Sequence, residues 1–103
     1  MSGKVSRHAI ERVAERCKDA GMDPVKVVAK AVVAARAAKP GESVAVRIAT
    51  FPKQVNETWG DRSNGDTIWA VIRNQEVMTF MLRRSTQPAT AAAMRVDRVQ
   101  FAE

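Results

Sequence analysis

His8 is the only histidine of the chain, and it stands near the start of a helix-forming segment, SRHAIERVAER. Imidazole exchanges a proton near neutral pH, and the N-terminal turn of a helix favours an anion beside it. Farther along, GDTIWAVIRNQEVMTFMLRR reads as two apolar strands that each finish in arginine. Arg73 closes the first, Arg83 and Arg84 close the second, and Thr79 interrupts the second apolar run. These group types suit phosphodiester chemistry through a 2′-hydroxyl. That reaction needs a base for the hydroxyl, an acid for the leaving oxygen and cations around the phosphorane, and no metal.

The same residues have plainer readings. His8 and Arg12 suit the solvated face of a helix, terminal arginines guard strand ends against aggregation, and threonine is common in strands. Register separates the alternatives. A two-residue turn at Asn74-Gln75 pairs Arg73 with Glu76 and sends Thr79 and Arg83 to the other face. A three-residue loop over 74–76 pairs Arg73 with Val77 and gathers Arg73, Thr79 and Arg83 on one face. The sequence is compatible with both. Trp59 and Trp69 offer rings for stacking on bases, and Trp69 also suits burial in a strand.

Other chemistries find little to work with. One histidine and one cysteine do not make a zinc site within one chain. No glycine-rich loop joins a strand to a helix, so no nucleotide fingerprint is present and no cofactor is expected. Cys17 falls on an apolar helix face and reads as inert core.

The elements that must position these groups follow from periodicity. Residues 1–5 are expected to fray. A helix over about 6–20 opens at Ser6, presents Ile10, Val13, Cys17 and Ala20 on one face, and ends at Gly21. Asp23-Pro24 caps and starts a second helix over about 24–38, with a stripe of Val27, Val28, Ala31, Val32 and Ala35. Its polar complement is Lys26, Lys30, Arg36 and Lys39, with no acid among them. Strands are expected at about 43–51, 67–73, 77–84 and 94–101, with a polar connection over 52–66. Helices first and strands later predict an α+β fold, with the two N-terminal helices packed on a four-stranded antiparallel β-sheet.

At 103 residues the chain makes a single domain, 1–103. No run of about 18 apolar residues is present, so no membrane span is expected. The start lacks the apolar core of a signal peptide, and a lone cysteine forms no internal disulfide, which points to the cytoplasm. Seventeen Lys and Arg against eleven Asp and Glu give a net charge of +6 and a pI near 10.3. Such a balance suits either solubility or contact with nucleic acid.

Two blocks, SRHAIERVAER at 6–16 and NGDTIWAVIRNQEVMTFMLRR at 64–84, resemble small proteins of the barnase–EndoU–colicin–RelE superfamily, ribonuclease toxins and their phage- and plasmid-borne relatives. An S-x-H-A-x-x-R helix is matched by Ser6, His8, Ala9 and Arg12, an arginine-ended strand by Arg73, and a following strand by Thr79 and Arg83. The chain has no tyrosine, which departs from RelE-like active sites. The resemblance implies a metal-independent ribonuclease of toxin type. His8 would be the general acid or base, Arg73 and Arg83 would stabilise the phosphorane, and Thr79 would position the scissile phosphate. Arg12, Arg84 and Trp59 would hold flanking nucleotides. The implied partners are RNA or another nucleic acid, and a protein such as an antitoxin, an immunity protein or a host protein. The alternative is a non-catalytic basic adaptor, phage-encoded, that binds nucleic acid or a host protein and has no use for His8.

Overall fold

Ser6 opens the first helix. Its hydroxyl accepts the backbone N–H of Ala9 at 3.1 Å, so one of the free N–H groups of the first turn is satisfied. In this computed structural model, which describes residues 4–20, 22–50, 66–84 and 87–102, the helix α1 spans Arg7–Ala20. Its buried line is Ala9, Val13 and Cys17, and Ile10 is 53% exposed. Three residues spaced by four lie on one line, and Ile10 falls beside it. The small side chain at Ala9, in place of Ile10, meets the sheet.

The second helix, α2, spans Pro24–Ala37. Asp23 caps it by accepting the Val25 N–H at 3.0 Å, and Pro24 follows at the position where a missing N–H costs nothing. Val27, Ala31, Ala34 and Ala35 are buried. At the other end, the side-chain amide of Gln75 donates to the Ala38 carbonyl at 2.7 Å. The helix terminus is thereby tied to the central hairpin.

The sheet departs from the expected one. Its strands are β1 Lys4–Val5, β2 Ser43–Thr50, β3 Thr67–Arg73, β4 Glu76–Arg83 and β5 Arg98–Phe101, in the order β1-β4-β3-β2-β5. It is five-stranded and mixed, not four-stranded and antiparallel. β1 runs parallel to β4, β5 runs parallel to β2, and β3 is antiparallel to both of its neighbours. Lys4–Val5 therefore pairs instead of fraying. The last strand begins at Arg98 because residues 91–94 form a short helix, α3, Ala91–Met94, capped by Thr90 and closed by Arg95 in the left-handed conformation. From the end of β4 the chain crosses the face opposite α1 and α2 and arrives beside β2 pointing the same way. An alternating strand pattern carries no information on direction, so the sequence did not separate the two arrangements.

Two apolar clusters result. Val44, Val46, Ile48, Ile68, Ala70, Ile72, Val77 and Phe80 face the helices with Ala9, Val13, Cys17 and the α2 stripe. On the other face, Trp69 and Ala45 lie under Met94 of α3, and the Trp69 indole N–H donates to the Thr67 hydroxyl at 2.8 Å. Burial is therefore the outcome for Trp69. Among the described residues no helix is long and apolar enough to cross a membrane.

Urea denaturation separates the two kinds of apolar position. Phe80→Ala should cost about 3–5 kcal/mol through lost burial and a residual cavity, whereas Ile10→Ala should stay within about 0.5 kcal/mol.

Candidate nucleic-acid interface

The hairpin turn has two residues. Asn74 and Gln75 both have positive φ, 49° and 63°, as a type I′ connection requires, and Arg73 pairs with Glu76. By itself that register would send Thr79 and Arg83 to the opposite face from Arg73. It does not, because Ile72 pairs with Val77 and Val71 pairs with Thr79, so Met78 is an extra residue. This β-bulge shifts the alternation by one. Thr79, Met81 and Arg83 rejoin the face of Arg73, the one turned away from α1 and α2. A two-residue turn followed by a bulge achieves what the three-residue loop would have done.

The three groups share a face but not a point. Arg73 and Arg83 lie at opposite ends of the seven-residue β3 and its partner, roughly 20 Å apart at about 3.3 Å per residue. Their side chains lean toward each other over the Trp69 cluster. Arg73 donates to the Arg95 carbonyl at 3.5 Å, and Arg83 donates to the Ala93 carbonyl at 3.3 Å. Both bonds are long. They set two cations at the carbonyl end of α3, where positive charge is favoured. Thr79 is half-buried beside Val71. Arg84 and Arg95 are exposed.

The same face carries a ring that sequence reasoning missed. Phe101 is 58% exposed, lies 4.4 Å from the Arg47 guanidinium, and meets Trp69 edge-on at 5.8 Å. Only the parallel pairing of β5 with β2 brings residue 101 beside residue 47. No local signal in the sequence announces that neighbour.

His8 sits in the helix layer, exposed in the first turn of α1. That turn is anchored to the bulge. The Ser6 N–H donates to the Val77 carbonyl at 2.9 Å, and the Ser6 hydroxyl donates to the Met78 carbonyl at 2.7 Å. His8 therefore stands at the β1/β4 end of the sheet, while Arg73, Thr79 and Arg83 occupy the face away from its helix. Arg12 is engaged with Glu15 at 3.3 Å, one turn along on the same helix. Trp59 lies outside the described residues.

Titration is perturbed mainly at the opposite edge of the sheet, at the strand end that Arg73 shares with Ser43. Asp97 accepts the Ser43 N–H at 3.0 Å. That bond, a second one from the Ser43 hydroxyl and the charge of Arg73 hold its carboxyl below the ordinary range. Glu42 takes both arms of Arg98, at 3.1 and 2.9 Å, which lowers the Glu42 carboxyl and raises the Arg98 guanidinium. Burial, with the Asp23 charge adding, pushes the Cys17 thiol up, so it stays protonated within the core. Among the described residues no three His, Cys, Asp or Glu side chains gather as a metal site.

No family model, no curated protein and no solved structure matches this chain significantly. What fold and site define is a basic α+β domain. One sheet face holds two apolar-packed helices, and the other holds arginines around a short crossover helix.

Ser6→Ala should cost about 0.5–2 kcal/mol, the usual range for a lost N-cap, measured by urea unfolding. The carboxyl shifts set an acid limit. Both folded values are depressed, so their stabilisation is present above the ordinary carboxylate range, about pH 4, and is lost as pH falls through the folded values. The melting temperature should therefore drop below about pH 4, and Asp97→Asn should reduce that pH dependence.

Proposed function

We propose that this protein binds single-stranded RNA across the sheet face that carries Arg73, Thr79 and Arg83, with Arg84 and Arg95 extending the cationic surface. The observation that carries this reading is the bulge at Met78, which turns Thr79 and Arg83 to the side of Arg73. A bulge kept in a hairpin re-aims side chains. Guanidinium forks match phosphate oxygens. The exposed Phe101 ring beside them offers a stacking surface of the kind that single strands use. The net charge of +6 draws polyanions to the molecule whatever their sequence.

A second reading keeps the same surface and adds chemistry: a metal-independent ribonuclease with His8 as the proton-transfer group. The anchoring of α1 by the Ser6–Met78 bond favours it, since that bond ties the His8 turn to the residue next to Thr79. Here RNA wraps the β1/β4 edge, with the scissile phosphate at the rim beside His8 and the flanking phosphates on Thr79 and the arginines of the other face. Without that chemistry, the protein is an adaptor on nucleic acid or on a protein partner.

Fluorescence anisotropy with a short single-stranded RNA over a salt series tests the first reading. Affinity should fall linearly in log–log form, with a slope of about −0.7 for each phosphate contact. Arg73→Gln and Arg83→Gln should each weaken binding and flatten the slope. Binding that ignores both substitutions and salt would sink the proposal. The second reading predicts cleavage in EDTA that leaves 2′,3′-cyclic phosphate ends, slowed about 10²-fold or more by His8→Ala. Persistent binding with no product assigns the adaptor role, and an unchanged rate in a folded His8→Ala protein removes His8 from the chemistry.

A further inference from the structure

α2 has a side that faces neither α1 nor the sheet. Val25, Ala29, Val33 and Ala37 are spaced by four and lie along one line of the helix. All four are exposed, Val25 to 72% and Val33 to 65%. Between this line and β5 runs a groove of about 370 Å³, lined among others by Ala29, Lys30, Val33, Ala37, Gln100 and Ala102. Its alanines form a shallow floor that accepts branched apolar side chains from outside.

Two further observations say what fits. Among the described residues β5 ends the sheet. Its inner side is taken by β2, as in the Ala102 N–H bond to the Arg47 carbonyl at 2.9 Å. The alternate peptide groups of β5 point away from β2, where no strand pairs with them among the described residues, and an edge of this kind accepts an added strand. The charge is one-sided. Lys26, Lys30, Arg36 and Lys39 are all exposed, and no acid occurs from Pro24 to Gly41. Arg98, the nearby cation of β5, already has its carboxylate in Glu42.

We infer that this groove receives an extended acidic segment of a partner protein, added as a strand to the outer edge of β5. Every second side chain of that segment faces α2; among these, branched apolar ones lie on Val33 and the alanines, and carboxylates meet Lys30. Main-chain bonds to the edge give affinity, and the pattern of apolar and acidic side chains gives selectivity. A concave groove beside a strand edge fits a peptide better than a flat lipid surface.

The experiment titrates into the protein a short synthetic peptide in which valine and glutamate take turns at every second position, with serine between them, so that both share the face turned to α2. Anisotropy and backbone NMR follow it, with a valine–lysine peptide as control. Saturable binding is expected for the acidic peptide alone, with amide shifts over 98–102 and along α2. Lys30→Glu and Val33→Asp, both at exposed positions, should each weaken it about tenfold or more, the scale for losing a charge contact or an apolar anchor at an interface. Equal binding of both peptides, or shifts confined to the arginine face, would overturn the inference. So would attachment of the protein to anionic vesicles with no binding of the peptide. Sedimentation covers the remaining occupant: a dimer that Val33→Asp converts to monomer would assign the groove to a second copy and overturn the acidic partner.

Discussion

One inserted residue, Met78, holds the architecture of this protein in register. The tight turn at Asn74-Gln75 dictates one pairing of β3 and β4, and the bulge four residues later shifts it by one side chain. Because alternation has a period of two, a shift of one exchanges the faces of everything that follows. Phe80 then points into the helical core, while Thr79 and Arg83 point away from it. Without the bulge the same sequence would bury an arginine and expose a phenylalanine. The carbonyl of the inserted residue is also occupied, since the Ser6 hydroxyl donates to it. The device that sets the sheet register therefore also sets where α1 begins.

The turn itself is coupled to α2. Gln75 takes a left-handed conformation that a non-glycine residue adopts at some cost. Its side chain recovers stability by capping the free carbonyls at the end of α2. Asn74 accepts the Gly41 N–H, and its own N–H donates to the Glu42 carbonyl. The helix end, the hairpin tip and the entry to β2 are thus joined by hydrogen bonds, which positions the helix layer over the sheet more firmly than apolar contact alone.

The two faces of the sheet do different work. On the helix side, small residues such as Ala9, Ala31 and Ala35 allow a close approach. On the other side, apolar burial centres on the Trp69 cluster, and arginines hold the crossover by its carbonyls. Long donors from both ends of the hairpin can do this because arginine spans a distance and keeps its charge. The same reach gives these groups donors to offer a phosphate. Holding α3 and meeting an anion are compatible uses of one guanidinium.

Much of the local structure was legible from the residues alone. Ser6 and Asp23 announced both helix starts, alternation over 43–51 located one strand, and the β-branched and aromatic run over 67–73 located another, each within a residue. These are short-range effects: caps, turns and side-chain period act within a few residues of chain. The helical face was legible in type but not in rotation, because Ile10 and Ala9 are adjacent and only the packing distance to the sheet chooses the smaller. The arginines, Thr79 and His8 could be picked out by type, yet their arrangement rests on a bulge and on the Ser6 anchor, which no local pattern encodes. The direction of the last strand, the pairing of Lys4–Val5 and the meeting of Phe101 with Arg47 were decided by tertiary structure. Strand pairing joins residues far apart in the chain, and a strand reads the same whichever way its neighbour runs.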